Sequence, residues 1–78
     1  MKTTRYFQSL REKADRAIIK AEWIQQVIDA PESEMTQMDG RIRIWWTIPE
    51  AGNRYLRVIL LQDRETVHNA FFDRRFKP

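Results

Sequence analysis

From Arg41 to Ile48 the chain reads Arg-Ile-Arg-Ile-Trp-Trp-Thr-Ile, an uninterrupted alternation of outward and inward residues. A period of two over this length is the signature of a strand with one buried face, because successive side chains point to opposite sides of a sheet. A strand of this kind needs partners, and its flanks supply them. Asp39-Gly40 before it is a favoured pair for a two-residue hairpin turn and predicts a partner strand at Glu34–Met38. Pro49-Glu50-Ala51-Gly52-Asn53 after it is a second turn, with glycine and asparagine able to take positive φ. Arg54–Leu61 reads as a third strand, Gln62–Glu65 as a tight polar turn and Thr66–Phe72 as a fourth strand. Asp73–Pro78 is left as a basic tail.

The first thirty residues have a different period. Residues 3–29 read as helical, with Ser9 and Glu12 in capping-box spacing and a weak break at Asp15-Arg16-Ala17. In Lys20–Asp29, the residues Trp23, Ile24, Val27 and Ile28 make one apolar stripe, and Ala30-Pro31 ends the helix. The predicted architecture is α+β: an N-terminal helical hairpin packed on a four-stranded antiparallel meander, as a single domain over residues 1–78.

Composition narrows the class. An apolar fraction of 42% is too high for a disordered chain. The absence of cysteine excludes disulfides and thiolate metal sites. The longest apolar run, Val58–Leu61, is far short of the roughly 20 residues that span a bilayer. The start, Met1-Lys2-Thr3-Thr4-Arg5, leads into no apolar stretch. The expectation is a soluble, cytoplasmic protein with no membrane association. One histidine and no cysteine make no transition-metal ligand set. Two glycines cannot build a phosphate-cradling loop, and Ser9 and Ser33 have no base nearby. No cofactor is expected.

Charge is uneven along the chain. Residues 1–40 hold six Lys/Arg and seven Asp/Glu, a net −1, and residues 41–78 hold eight and four, a net +4. Ten of the fourteen cations are arginine, whose planar fork suits phosphate and stacks on bases. Splitting the strands by face places Ile42, Ile44, Trp46 and Ile48 with Leu56, Val58 and Leu60 against the helices. Arg41, Arg43, Trp45, Tyr55 and Arg57 go to the opposite face. If Val67 and Phe71 also face the helices, His68 joins the arginines. Cations with aromatics match an RNA-binding face. They equally match a thin sheet whose second side is closed by Trp45 and Tyr55, with arginine stems laid across them.

His68 is the one side chain whose ordinary pKa suits proton transfer in both directions near neutrality. Cleavage of RNA by its own 2′-hydroxyl needs a base, an acid and charge stabilisation at phosphorus. His68 is the candidate for the proton, Arg43 and Arg57 for the phosphate, and Glu65 or Asp73 for a second proton carrier. A lone histidine is nonetheless more often structural than catalytic.

The layout resembles the RelE/BrnT-like toxin fold group, and more closely small bacterial domains placed near it. The resemblance is carried by Asp15-Arg16 before Glu22-Trp23-Ile24, by Pro31, and by Asp39-Gly40-Arg41-Ile42-Arg43. Arg54-Tyr55-Leu56-Arg57-Val58 and Thr66-Val67-His68-Asn69-Ala70-Phe71-Phe72-Asp73-Arg74 complete it. It implies a metal-independent endoribonuclease neutralised by a cognate antitoxin, with Arg41, Arg43, Arg57, His68, Arg74 and Arg75 at the working positions. The chain departs from that group in three ways. It is less basic, it has Phe72 and Phe76 where a late tyrosine is common, and it has Phe7-Gln8 where related domains carry a histidine. The other readings are a non-catalytic RNA binder, in which Trp45 and Tyr55 stack bases, and a protein-interaction module. The outer strand could also pair with a second copy to give a homodimer.

Overall fold

The computed structural model describes residues Met1–Pro78. Three short helices, α1 (Arg5–Leu10), α2 (Ala14–Ala17) and α3 (Ala21–Asp29), precede four strands, β1 (Ser33–Thr36), β2 (Ile42–Ile48), β3 (Arg54–Leu60) and β4 (Val67–Phe72). The strands form one antiparallel sheet in chain order, β1-β2-β3-β4, so the α+β meander is as expected. No helix is long and apolar enough to cross a membrane.

The helical region is more broken than a hairpin. Thr4 caps α1, its hydroxyl accepting the Phe7 N–H at 3.1 Å. Ser9, expected to be the cap, lies inside α1 and donates to the Tyr6 carbonyl at 2.7 Å. The helix stops at Leu10, and the segment expected as a break, Asp15-Arg16-Ala17, is part of the single turn α2. α3 buries Trp23, Ile24 and Val27 of the predicted stripe, leaves Ile28 partly buried, and ends before Pro31. Phe7, Ile19 and α3 press on Ile42, Ile44, Ile48, Leu56, Val58, Leu60, Val67 and Ala70 to make one continuous core. Each large apolar side chain buried there contributes about 1.5–3 kcal/mol.

The turns account for the register. In the β1–β2 hairpin, the Gln37 N–H bonds to the Arg41 carbonyl at 2.7 Å and the Gly40 N–H to the Gln37 carbonyl at 3.0 Å. That closes a loop over Met38-Asp39-Gly40 rather than the two-residue turn expected. A two-residue type I′ turn needs positive φ at both central residues, and here Gly40 alone has it, at 89°. A Cβ on Gly40 would also strike the Gln62 side chain. After β2 the left-handed pair Gly52 and Asn53 reverses the chain, and the Asn53 N–H returns to the Ile48 carbonyl at 3.0 Å.

One irregularity changes which residues share a face. Val58 pairs with Ala70 and Leu60 with Val67, so His68 and Asn69 on β4 stand against the single residue Ile59 on β3. This is a β-bulge. Val67 and Ala70 therefore both face the core, and Phe72 follows them, its ring edge-on to Trp23 at 6.1 Å. Phe71, expected among the helices, instead pairs with Arg57 on the other side.

The two sheet edges differ. At the first residue of β4 the N-terminal segment covers the edge: the Val67 N–H donates to the Lys2 carbonyl at 2.8 Å, and the Thr4 N–H to the Val67 carbonyl at 3.0 Å. Thr3 forms a parallel bridge with Val67. Along β1, Gln37 bonds inward to Arg41, so by alternation the main-chain groups of Glu34 and Thr36 face outward.

Candidate nucleic-acid interface

The side of the sheet away from the core is organised by register. Ser33, Trp45, Arg57 and Phe71 lie in one row, and Met35, Arg43, Ile59 and Asn69 in the next. The places expected for His68 beside the arginines are therefore held by Asn69 and Phe71. His68 sits at the bulge against α1, with its ring stacked on Tyr6 at a centroid distance of 4.8 Å and its Nδ1 3.2 Å from the Thr4 hydroxyl. Burial pushes the imidazole pKa below its ordinary value. The charge of Arg41 adds to that shift and the charge of Asp39 opposes it. No carboxylate orients the ring, and neither Arg43 nor Arg57 bonds to it.

Arg57 is instead part of a closed cluster around Asp73. The Oδ2 atom of Asp73 accepts the Trp45 indole N–H at 3.0 Å, and the Arg57 Nε–H and Nη2–H at 2.9 and 2.6 Å. Its Oδ1 accepts the Arg75 N–H at 3.0 Å, and its own N–H donates to the Tyr55 carbonyl at 2.9 Å. Burial alone would raise this carboxyl. The bonds from Trp45 and Arg57, the Arg75 amide and the Arg57 charge outweigh it and hold the pKa below the usual value. Asp73 is the only charged residue that is buried, with 9% of its surface exposed.

From this anchor the tail folds back over the sheet. Phe76 stacks on Trp45 at 4.5 Å and meets Tyr55 edge-on at 5.0 Å. The Arg57 guanidinium lies 5.5 Å from the Trp45 ring and 4.9 Å from Phe71, and Arg16 reaches Phe71 from α2 at 5.3 Å. Trp45 is left 5% exposed. It closes the second side of a thin sheet, as one of the two sequence readings anticipated, and it offers no ring face for a base.

The remaining cations are more available. Arg43 donates from Nε to the Gln37 amide oxygen at 2.8 Å and has no carboxylate partner. Arg41 has Asp39 3.7 Å away, a loose pairing in a side chain that is 43% exposed. Arg74 and Arg75 are exposed on the returning tail. Sequence reasoning did not single out Arg54, whose guanidinium lies 4.0 Å over the Phe72 ring. It also missed Asp73 as the organising group. The signal was present, since Asp73 is the one acid in an otherwise cationic tail and sits at the start of an Asx-type turn onto Arg75. No family model, curated protein or solved structure matches the chain.

Proposed function

We propose that the protein binds single-stranded RNA along the side of the sheet away from the helices, without cleaving it through His68. The observation that supports this is the distribution of guanidinium groups that no close carboxylate neutralises. Arg41 and Arg43 lie on one side of β2 at its start, with no tight carboxylate partner. Arg74 and Arg75 are carried beyond Asp73, which is hydrogen-bonded to Tyr55 opposite Thr47 near the end of β2. Six strand steps of about 3.3 Å separate Arg41 from Thr47, giving a stripe about 20 Å long with cations at both ends. Arg57, in the middle, is neutralised by Asp73 and serves the fold. A toxin-like nuclease would need an unengaged base beside those cations; His68 feels the Arg41 charge, but its Nδ1 meets the Thr4 hydroxyl and its ring is stacked on Tyr6. A protein partner, a cognate antitoxin or a second copy, would add to the outer edge of β1.

Fluorescence anisotropy with a labelled ten-nucleotide RNA tests the reading. Binding should weaken steeply with salt, and the R41Q/R43Q variant should bind at least tenfold more weakly with a shallower salt slope. Affinity that ignores salt and both substitutions would remove the proposal. Cleavage of the same RNA by the wild type, lost in H68A, would replace it with the nuclease reading.

A further inference from the structure

Where β3 begins and β4 ends, Arg54, Tyr55, Phe72, Asp73, Arg74 and Phe76 surround a pocket of about 190 Å³. Drug-sized ligands take roughly 300–1,000 Å³, so this space seats one end of such a ligand rather than enclosing it. Its walls combine two kinds of group. Tyr55 and Phe76 stand edge-to-face, and Phe72 closes the helix side. Arg54 and Arg74 bring positive charge with no carboxylate partner.

The Arg54 fork is held in place before any ligand arrives. Its Nε donates to the Ala51 carbonyl at 2.8 Å and its plane rests on Phe72, which leaves the Nη groups to face an acceptor. A fixed fork loses less freedom when it engages a phosphate. Asp73 would repel an anion if it were bare. Its Oδ2 is covered by Trp45 and Arg57 and its Oδ1 by the Arg75 amide, so its charge is already matched.

We propose that this open pocket seats part of one nucleotide, its phosphate between Arg54 and Arg74, with the base lying along Tyr55 and Phe76 and the rest projecting outward. The proposal rests on the RNA reading for the source of that nucleotide, as the end of a strand lying on the arginine stripe. A free nucleotide would present the same chemistry.

Titration of the ¹⁵N-labelled protein with adenosine monophosphate tests it by NMR. Saturable shifts are expected at Arg54, Tyr55 and the 72–76 amides, with at least tenfold weaker binding of adenosine alone and of inorganic phosphate alone. R54Q/R74Q should lower the nucleotide affinity at least tenfold while leaving distant resonances in place. If that double variant does not fold, R74Q on the exposed tail carries the test. The ten-nucleotide RNA is run in parallel. No shift with the nucleotide while the RNA binds overturns the pocket and leaves the stripe. Saturation of the pocket without RNA binding supports a site for free nucleotide and removes the strand as its source. Shifts spread over the whole surface, or unchanged in the variants, overturn the proposal.

Discussion

On the helix side of the sheet, Ile42, Ile44, Ile48, Leu56, Val58, Leu60 and Val67 interlock with Phe7, Ile19 and α3 in one apolar cluster. On the other side a single carboxylate gathers an indole, a guanidinium and an amide, and Phe76 lies over the result. The first face is closed by removing area from water, which needs only shape and volume. The second depends on one group remaining charged. The two faces should therefore fail under different conditions.

The largest effect is expected on the first face. Leu56→Ala, at a fully buried position, should cost about 2–5 kcal/mol in urea unfolding, and the loss should be independent of pH. Asp73→Ala should cost less, about 1–3 kcal/mol, because Arg57 and the Trp45 N–H lose their acceptor but Arg57 keeps some contact with water. This loss should depend on pH. Folding depresses the Asp73 pKa, so its contribution is complete above the ordinary carboxylate value of about 3.9 and fades as pH falls below it. Wild type and D73A should therefore converge in acid, and parallel pH profiles would show that Asp73 does not hold the tail through its charge.

The smallest effect belongs to the sheet edge. His68 takes up a proton less readily folded than unfolded. Stability should be level above the ordinary imidazole value of about 6.5, then decline as pH drops from there to the depressed folded value. The groups around the ring are Thr4 and Tyr6 from the N-terminal segment, with the charges of Arg41 and Asp39 acting on it. H68F, which keeps a ring against Tyr6, should flatten that part of the denaturation profile. A slope unchanged in H68F would assign it to another group.

Much of the fold was legible because hydrophobic period is a local property. The Ile42–Ile48 alternation, the α3 stripe and the Pro31 stop each depend on residues within a few positions of one another. The face assignment held for β2 and β3, where the pairing is regular from Ile42–Leu60 to Ile48–Arg54. It failed on β4 because a bulge leaves no mark in the alternation, and one extra residue moved Asn69 and Phe71 across the sheet, while His68, ahead of the shift, stays opposite Val67 at the strand edge beside Thr4 and Tyr6. The candidate site was less legible for a related reason. Arg57 and Trp45 do share a face as expected, but whether they meet solvent or protein was decided by Asp73 and Phe76, sixteen residues or more along the chain, on a segment with no periodic pattern. The capping assignment went to Thr4 rather than Ser9 because Thr4 also had to lie alongside Val67.

The tie between Thr4 and Val67 also orders events during synthesis. α1 leaves the ribosome before any of these four strands, yet the wall it docks against is β4, the last of the four. Until Val67–Phe72 emerges, Phe7 and Leu10 have no seat and the growing chain must carry them exposed. Closure of this domain is a late step that joins its two ends at once, and a nascent chain stalled anywhere before Thr66 holds an unfinished sheet beside an unattached helix.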